Sequence, residues 1–222
     1  MQESDLTIIL PTYNEEGAVG LVIDEIKALS LNCNILVVDG NSIDETSNIV
    51  AWKKVPMMID SGEGKGSAMQ QGFKAVKTPY VIMMDSDYTY PAEYIPLMYY
   101  LLISGYNVVT GYRYSREKDS MTSLNLVGNR MLSFLASILY RYDIIDVCSG
   151  MWGFRKEALE GFNLISKGFT FEADLFINAR KNNCRISQIP ITYRKRPEGS
   201  RAKLKVSDGL KIGWFLLRGK VR

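Results

Sequence analysis

Short apolar runs alternate with amphipathic stretches along the first hundred residues. Leu6 to Leu10 is one run, stopped by Pro11. From Gly17 to Ser30 the apolar positions Val19, Val22, Ile23, Ile26 and Leu29 recur at helical spacing. Ile35 to Val38 and Val55 to Ile59 read as further strands, with a helix over Asp44 to Trp52 between them. Gly66 to Val76 has helical character, and Tyr80 to Met84 is a fourth apolar run. Strands this short and this apolar, separated by helices, predict a mostly parallel sheet covered on both faces. The second half is less regular. Asn107 to Thr110 predicts a strand, followed by Gly111-Tyr112-Arg113. Leu124 to Tyr140 is a strongly amphipathic helix, and Asp146 to Gly153 reads as a loop of small residues. A helix is expected over Glu172 to Asn182, an extended segment over Ile186 to Tyr193, and a last helix over Lys205 to Arg218.

In such a sheet, ligands bind beyond the carboxyl ends of the strands. Pro11-Thr12-Tyr13-Asn14-Glu15 follows the first strand, Asp39-Gly40-Asn41-Ser42 the second and Asp85-Ser86-Asp87 the fourth. All three should land on one edge, and all carry carboxylates. Asp85 and Asp87 can face one hard divalent cation, Mg²⁺ or Mn²⁺, which takes carboxylate oxygen and leaves positions for phosphate or water. Gly62 to Gly66 is a glycine-rich turn carrying Lys65. It is expected to aim a cation and a helix N-terminus at an anion.

Composition narrows the chemistry. The 222 residues contain no histidine, which excludes histidine bases, nucleophiles and metal ligands. Three cysteines without CxxC spacing point to buried thiols in a reducing compartment. No run reaches the ~18 apolar residues that a membrane-spanning helix needs. The net charge of +3 conceals an asymmetry. From Arg194 to Arg222 there are ten Lys/Arg and two acids, whereas the rest carries 17 basic and 22 acidic groups. An acidic body thus leads into a basic end, whose apolar positions Leu210, Trp214 and Leu217 suit an anionic membrane surface. The expected organisation is a catalytic domain over 1–204 and a basic amphipathic helix over 205–222.

PTYNE at 11–15, VVDGNSIDET at 37–46, GKG at 64–66 and DSD at 85–87 resemble glycosyltransferase family 2, with its α/β GT-A fold. GYR at 111–113, DVCSGMWGFRKEAL at 146–159, GFTFEAD at 168–174 and IPITYRKRPEGSRAKL at 189–204 resemble the polyprenyl-phosphate sugar synthases, such as those that make dolichyl-phosphate mannose. The resemblance implies that Pro11, Tyr13 and Glu15 line a nucleoside pocket and that Asp39 reads base or ribose. Lys65 would lie near the nucleotide. Asp85 and Asp87 would hold the metal, with Ser86 beside them. Arg113, Ser149 and Gly150 would lie near the sugar and the acceptor phosphate. The family's Arg and Ser upstream of its helix asparagine are replaced here, aligned on Asn129, by Met121 and Asn125, and Arg130 or Arg116 would substitute as acceptor-phosphate ligand. Arg194, Arg196, Arg201 and Lys203 would close over the phosphates. GDP-mannose is the most familiar donor of the family; UDP-glucose and UDP-N-acetylglucosamine stay open. The implied acceptor is a polyprenyl or dolichyl phosphate, met by peripheral contact at the cytoplasmic face of a membrane. If the acceptor were a sugar hydroxyl, a base would be needed, and Asp174 or Glu172 would be its candidate. A nucleotide-sugar-binding scaffold without catalysis is the alternative of another class.

Overall fold

The computed structural model describes residues 4–60, 62–198, 200 and 206–221. The apolar runs of the first half form β1 (Leu6–Thr12), β2 (Asn34–Asp39), β3 (Met57–Ile59) and β4 (Tyr80–Met84). Helices α1 (Val19–Ala28), α2 (Thr46–Trp52) and α3 (Lys65–Ala75) connect them. Then follow α4 (Ile95–Ile103), β5 (Val108–Arg116), α5 (Ser123–Tyr140), β6 (Met151–Arg155), α6 (Lys156–Glu160), α7 (Phe171–Lys181), β7 (Ile186–Tyr193) and α8 (Val206–Val221).

The seven strands make one sheet in the order β3-β2-β1-β4-β6-β5-β7. Only β6 runs against the rest, pairing antiparallel with β4 and β5. The alternation of side chains feeds two cores. Ile9, Val81 and Met83 face a cluster with Phe73, Phe171 and Phe176. Ile8, Leu10, Ile82 and Met84 face another with Val22, Ile23, Met98 and Leu102. Burial on both faces is why these strands carry continuous apolar runs. The carboxyl ends of β1, β2, β4, β5 and β7 gather at one edge, and β6 enters the sheet from that edge.

The structure corrects the sequence reading in the second half. Asp146 to Gly153 is not all loop, because Met151 begins β6 in the middle of the sheet. Trp152 and Phe154 are fully buried there. The strand is only five residues long and has Gly153 at its centre, so its alternation is easily hidden. Arg113 lies inside β5 rather than after it. Pro190 is tolerated within β7 because that strand is at the sheet edge.

Helix α5 begins at Thr122, whose side chain accepts a hydrogen bond from the Asn125 amide at 3.2 Å. Its Ser133, Ala136 and Tyr140 are buried. Its outer face exposes Leu124, Val127, Met131, Phe134 and Ile138 as one stripe. Helix α8 buries Ile212 and Leu216 and exposes Leu210, Trp214 and Leu217. The Leu216 carbonyl accepts from Tyr140 Oη at 2.9 Å, fixing α8 to α5. No helix among the described residues is long and apolar enough to cross a membrane.

Candidate active site

Three turns at the sheet edge make the floor of the site. Beyond β1, Tyr13 is 47% exposed while Glu15 is buried. The Glu15 amide donates to Thr46 Oγ1 at 2.8 Å. Beyond β2, Asp39 is buried and accepts from the Ser42 amide at 3.0 Å, from Ser42 Oγ at 2.5 Å and from Ser47 Oγ at 3.3 Å. Beyond β4, Ser86 Oγ donates to the Pro11 carbonyl at 2.9 Å and locks the acidic turn to β1. Asn14, Asn41 and Tyr88, one on each turn, hold left-handed φ angles of 48°, 65° and 67°. Asparagine tolerates that region; tyrosine does so at a cost of about 1–3 kcal/mol, which such sites store.

The acidic turn is braced from both sides. Asp87 Oδ1 accepts from the Thr89 amide and hydroxyl at 3.1 and 2.5 Å. Asp87 Oδ2 stands 2.5 Å from Arg196 Nη2. Asp85 Oδ1 accepts from Lys65 Nζ at 2.6 Å, and Lys65 also bonds Glu172. Burial pushes the Asp85 carboxyl up to about 6; Lys65 opposes that rise, while Asp87 and Glu172 reinforce it. Burial pulls the Lys65 ammonium down, but Asp85 and Glu172 more than reverse it, so Lys65 is held charged. Among the described residues no group of three or more acidic or thiol side chains closes on one point. The turn therefore offers two hard oxygen donors, which suits an ion that keeps phosphate or water in its other positions. Room beside Asp85 comes from Gly150, because a Cβ there would lie 2.0 Å from Asp85 Oδ2.

The glycine-rich turn departs from expectation. Two of the N-terminal amides of α3 are not free for an anion. Gly66 and Ser67 donate to the Lys167 carbonyl at 3.0 and 3.3 Å. The glycines make that docking possible, since a Cβ on Gly66 would lie 2.3 Å from the Ser166 carbonyl. The turn thus serves to present Lys65.

The acceptor-side candidates scatter. Arg113 is largely buried, its side chain 10% exposed, and its fork closes on Asp146 with two contacts of 2.6 Å. It also donates to the Cys148 carbonyl at 3.3 Å and sits 5.3 Å above the Tyr193 ring. With its oxygen turned to the guanidinium, the Asn129 amide accepts from Nη2 at 2.7 Å. Arg113 is therefore occupied in tying β5, α5 and the 146–150 loop together, and does not present a free fork to a phosphate. Burial pushes the Cys148 thiol up to about 12, so it stays protonated. Ser149 is fully buried, its Oγ accepting at 3.3 Å from the amide of Met151, which begins β6. The Gly150 amide donates to Tyr90 Oη at 2.7 Å.

Arg130 turns away from the site, into an open groove with Phe134, Ile144 and Ile145; it is Asn129 that reaches Arg113. Arg116 is exposed at the end of β5. Arg194 pairs with Glu25 at 2.6 Å and covers the Tyr88 ring at 4.9 Å, while its amide donates to the Thr89 carbonyl. It is Arg196 that reaches the acidic turn. Asp174 is no base. One oxygen accepts from the Ile165 and Ser166 amides at 2.7 and 2.8 Å, and the other from Asn178 at 2.9 Å. Only Glu172 of that pair faces the site. Arg201 and Lys203 lie outside the described residues. Sequence reasoning missed Asp146, Tyr90 and Glu25 as partners. Asp146 had a signal, being the one acid in the small-residue run before β6.

A mixed sheet of this order, with acidic strand ends and cations at one edge, defines the α/β GT-A class of nucleotide-sugar transferases. Residues 7–162 match the model of glycosyl transferase family 2, and the chain belongs to that family as a glycosyltransferase. Over 205 residues it is 33% identical to the glycosyltransferase AglJ of Haloferax volcanii, covering 91% of this chain and 67% of that protein. It is 32% identical to the dolichyl-phosphate hexose transferase of the same organism, over 86% of this chain and 84% of the relative. Among solved structures it resembles the glucosyl-3-phosphoglycerate synthase of Mycobacterium tuberculosis, crystallised with Mn²⁺, UDP and glucosyl-3-phosphoglycerate. That likeness has a TM-score of 0.75 at 18% identity, over 96% of this chain and 77% of the other, and it speaks for the fold.

Proposed function

We propose that this enzyme moves a sugar, with inversion, from a nucleotide sugar to a polyprenyl phosphate of the dolichyl type. One observation carries the reading: the edge that gathers Asp85, Asp87, Lys65 and Arg196 is tied through Arg113 and Asn129 to α5, whose outer face is an exposed apolar stripe. Charge for phosphates and surface for a lipid thus meet. The dolichyl-phosphate activity of one relative supports the same reading.

Asp85 and Asp87 would hold Mg²⁺ or Mn²⁺, which offsets the charge that grows on a leaving nucleoside diphosphate. Asp39, Glu15 and Tyr13 would line the nucleoside, with Ser42 and Ser47 fixing the Asp39 carboxylate. Lys65 and Arg196 would take diphosphate oxygens. A phosphate monoester is largely dianionic at neutral pH, its second pKa being near about 6, so the acceptor needs positioning more than deprotonation. That agrees with a chain without histidine whose Asp174 is occupied by the Ile165 and Ser166 amides and the Asn178 side chain. GDP-mannose is the leading donor, with UDP-glucose and UDP-N-acetylglucosamine next. The stripe on α5 and the exposed Leu210 and Trp214 of α8 would rest on the cytoplasmic face of a membrane, beside Lys211 and Arg218.

The test is incubation with labelled GDP-mannose, UDP-glucose or UDP-N-acetylglucosamine, a short polyprenyl phosphate, and Mg²⁺ or Mn²⁺. A lipid-linked sugar that disappears in Asp87→Ala is the expected result. Transfer to 3-phosphoglycerate instead, or to no lipid phosphate with any donor, would overturn the reading.

A further inference from the structure

The carboxylates suited to a metal ion are engaged by the chain's own cations. Lys65 Nζ stands 2.6 Å from Asp85 and also bonds Glu172, while Arg196 Nη2 stands 2.5 Å from Asp87. A divalent ion arriving at the same oxygens would meet like charge at hydrogen-bond range. The turn supplies only two carboxylates, and among the described residues no third acid joins them. An octahedral ion held by two oxygens depends on other ligands for the rest of its shell. Arg196 Nε is buried and finds no acceptor among the described residues. A guanidinium with a spare buried donor is set to take a further oxygen.

We propose that Lys65 and Arg196 are resident counter-ions of the acidic turn, so that a divalent cation binds appreciably only together with a nucleoside diphosphate. The ion replaces both cations at Asp85 and Asp87. The diphosphate oxygens replace the two carboxylates at Lys65 and Arg196. Glu172 keeps its hold on Lys65 through the exchange, which limits how far Lys65 must travel. Arg196 lies two residues after Arg194, whose amide is pinned to Thr89, so its backbone stays beside the turn while its side chain changes partner. Both residues act here as positioning residues that set the order of binding. The proposal rests on the donor and metal reading above.

Free Mn²⁺ can be counted by electron paramagnetic resonance during titration of the full chain, alone and with saturating UDP or GDP. In the wild type one of these nucleotides is expected to tighten Mn²⁺ at least tenfold. Arg196→Gln is expected to bind Mn²⁺ alone at least tenfold more tightly than the wild type. Arg196→Lys, which keeps the charge, should return towards the wild-type value. If the wild type shows the nucleotide coupling but Arg196→Gln leaves Mn²⁺ affinity unchanged, the counter-ion role is overturned and the donor reading stands. If neither nucleotide tightens Mn²⁺ in the wild type, the donor reading itself fails. Should Arg196→Gln melt below the assay temperature, Lys65→Gln decides by the same titration and the same outcomes.

Discussion

The donor side and the acceptor side of this sheet hold their charged residues in different ways. At the ends of β2 and β4 the carboxylates are braced by near neighbours in sequence. Asp39 is held by Ser42 and Ser47, and Asp87 by Thr89. Each bond there is an ordinary one, and several share the work. On the acceptor side the bracing is by full charges drawn from far along the chain. Arg113 meets Asp146 across 33 residues. The donor side therefore adds local hydrogen bonds to the long-range cations Lys65 and Arg196 at Asp85 and Asp87, whereas the acceptor side rests on the Arg113–Asp146 ion pair.

The largest test of that difference is Asp146→Ala. The Arg113 and Asp146 side chains are only 10% and 9% exposed. Removing one partner leaves a buried unpaired charge, which costs about 3–5 kcal/mol. Ser42→Ala on the donor side loses one hydrogen bond to a carboxylate, its amide still bonding Asp39, and should cost about 1.5–3 kcal/mol. Denaturant unfolding of both variants measures the contrast. Equal losses would mean that the acceptor side is no more dependent on its ion pair than the donor side is on its hydroxyls.

The same difference explains what the sequence displayed. Parallel strands buried on both faces write themselves as apolar runs, and a ligand-binding turn must follow each, so PTYNE, DGNS and DSD could be located and placed on one edge without coordinates. The short β6 could not, because Gly153 interrupts it and its position in the sheet depends on pairing with β4 and β5. Nor could the state of the cations. Arg113, Arg194 and Asp174 have the right residue types for phosphate or proton chemistry, but Asp146 and Glu25 lie 33 and 169 residues from their arginines, and the Ile165 amide lies outside the helix that carries Asp174. Residue type announces a charge; only the fold says whether that charge is already spent.

The next effect sits where the two sides touch. Gly150 comes from the acceptor-side loop, yet its carbonyl accepts from the Asp85 amide at 3.1 Å. Gly150→Ala would place a methyl 2.0 Å from Asp85 Oδ2. Relief requires the carboxylate or the start of β6 to move. A displacement of about 1 Å at a reacting centre is worth roughly 100-fold in rate, and overpacking costs about 1–3 kcal/mol of stability. Steady-state kinetics with the melting temperature of the variant separate the two. Full activity in Gly150→Ala would show that the 146–150 loop does not set the position of the acidic turn.

The smallest effect on the fold is the one that addresses the surface. Phe134 is 69% exposed in the middle of the α5 stripe, flanked along the helix by Met131 and Ile138. Trp52, on the donor side, is 77% exposed but is covered by its neighbour Lys53, whose ammonium lies 4.9 Å above the ring. Neither residue holds the core, so Phe134→Glu and Trp52→Glu should each change stability by no more than about 0.5 kcal/mol. Their effects on vesicles should differ. A charge placed in a continuous apolar stripe must be desolvated when that stripe meets lipid, whereas a charge beside an isolated ring can remain in water. Co-sedimentation with anionic phospholipid vesicles is therefore expected to fall several-fold for Phe134→Glu and to be unchanged for Trp52→Glu. Equal binding by the two variants would leave the α5 stripe without its role as the lipid-facing surface, and would return the acceptor side to the same standing as any other exposed face of the sheet.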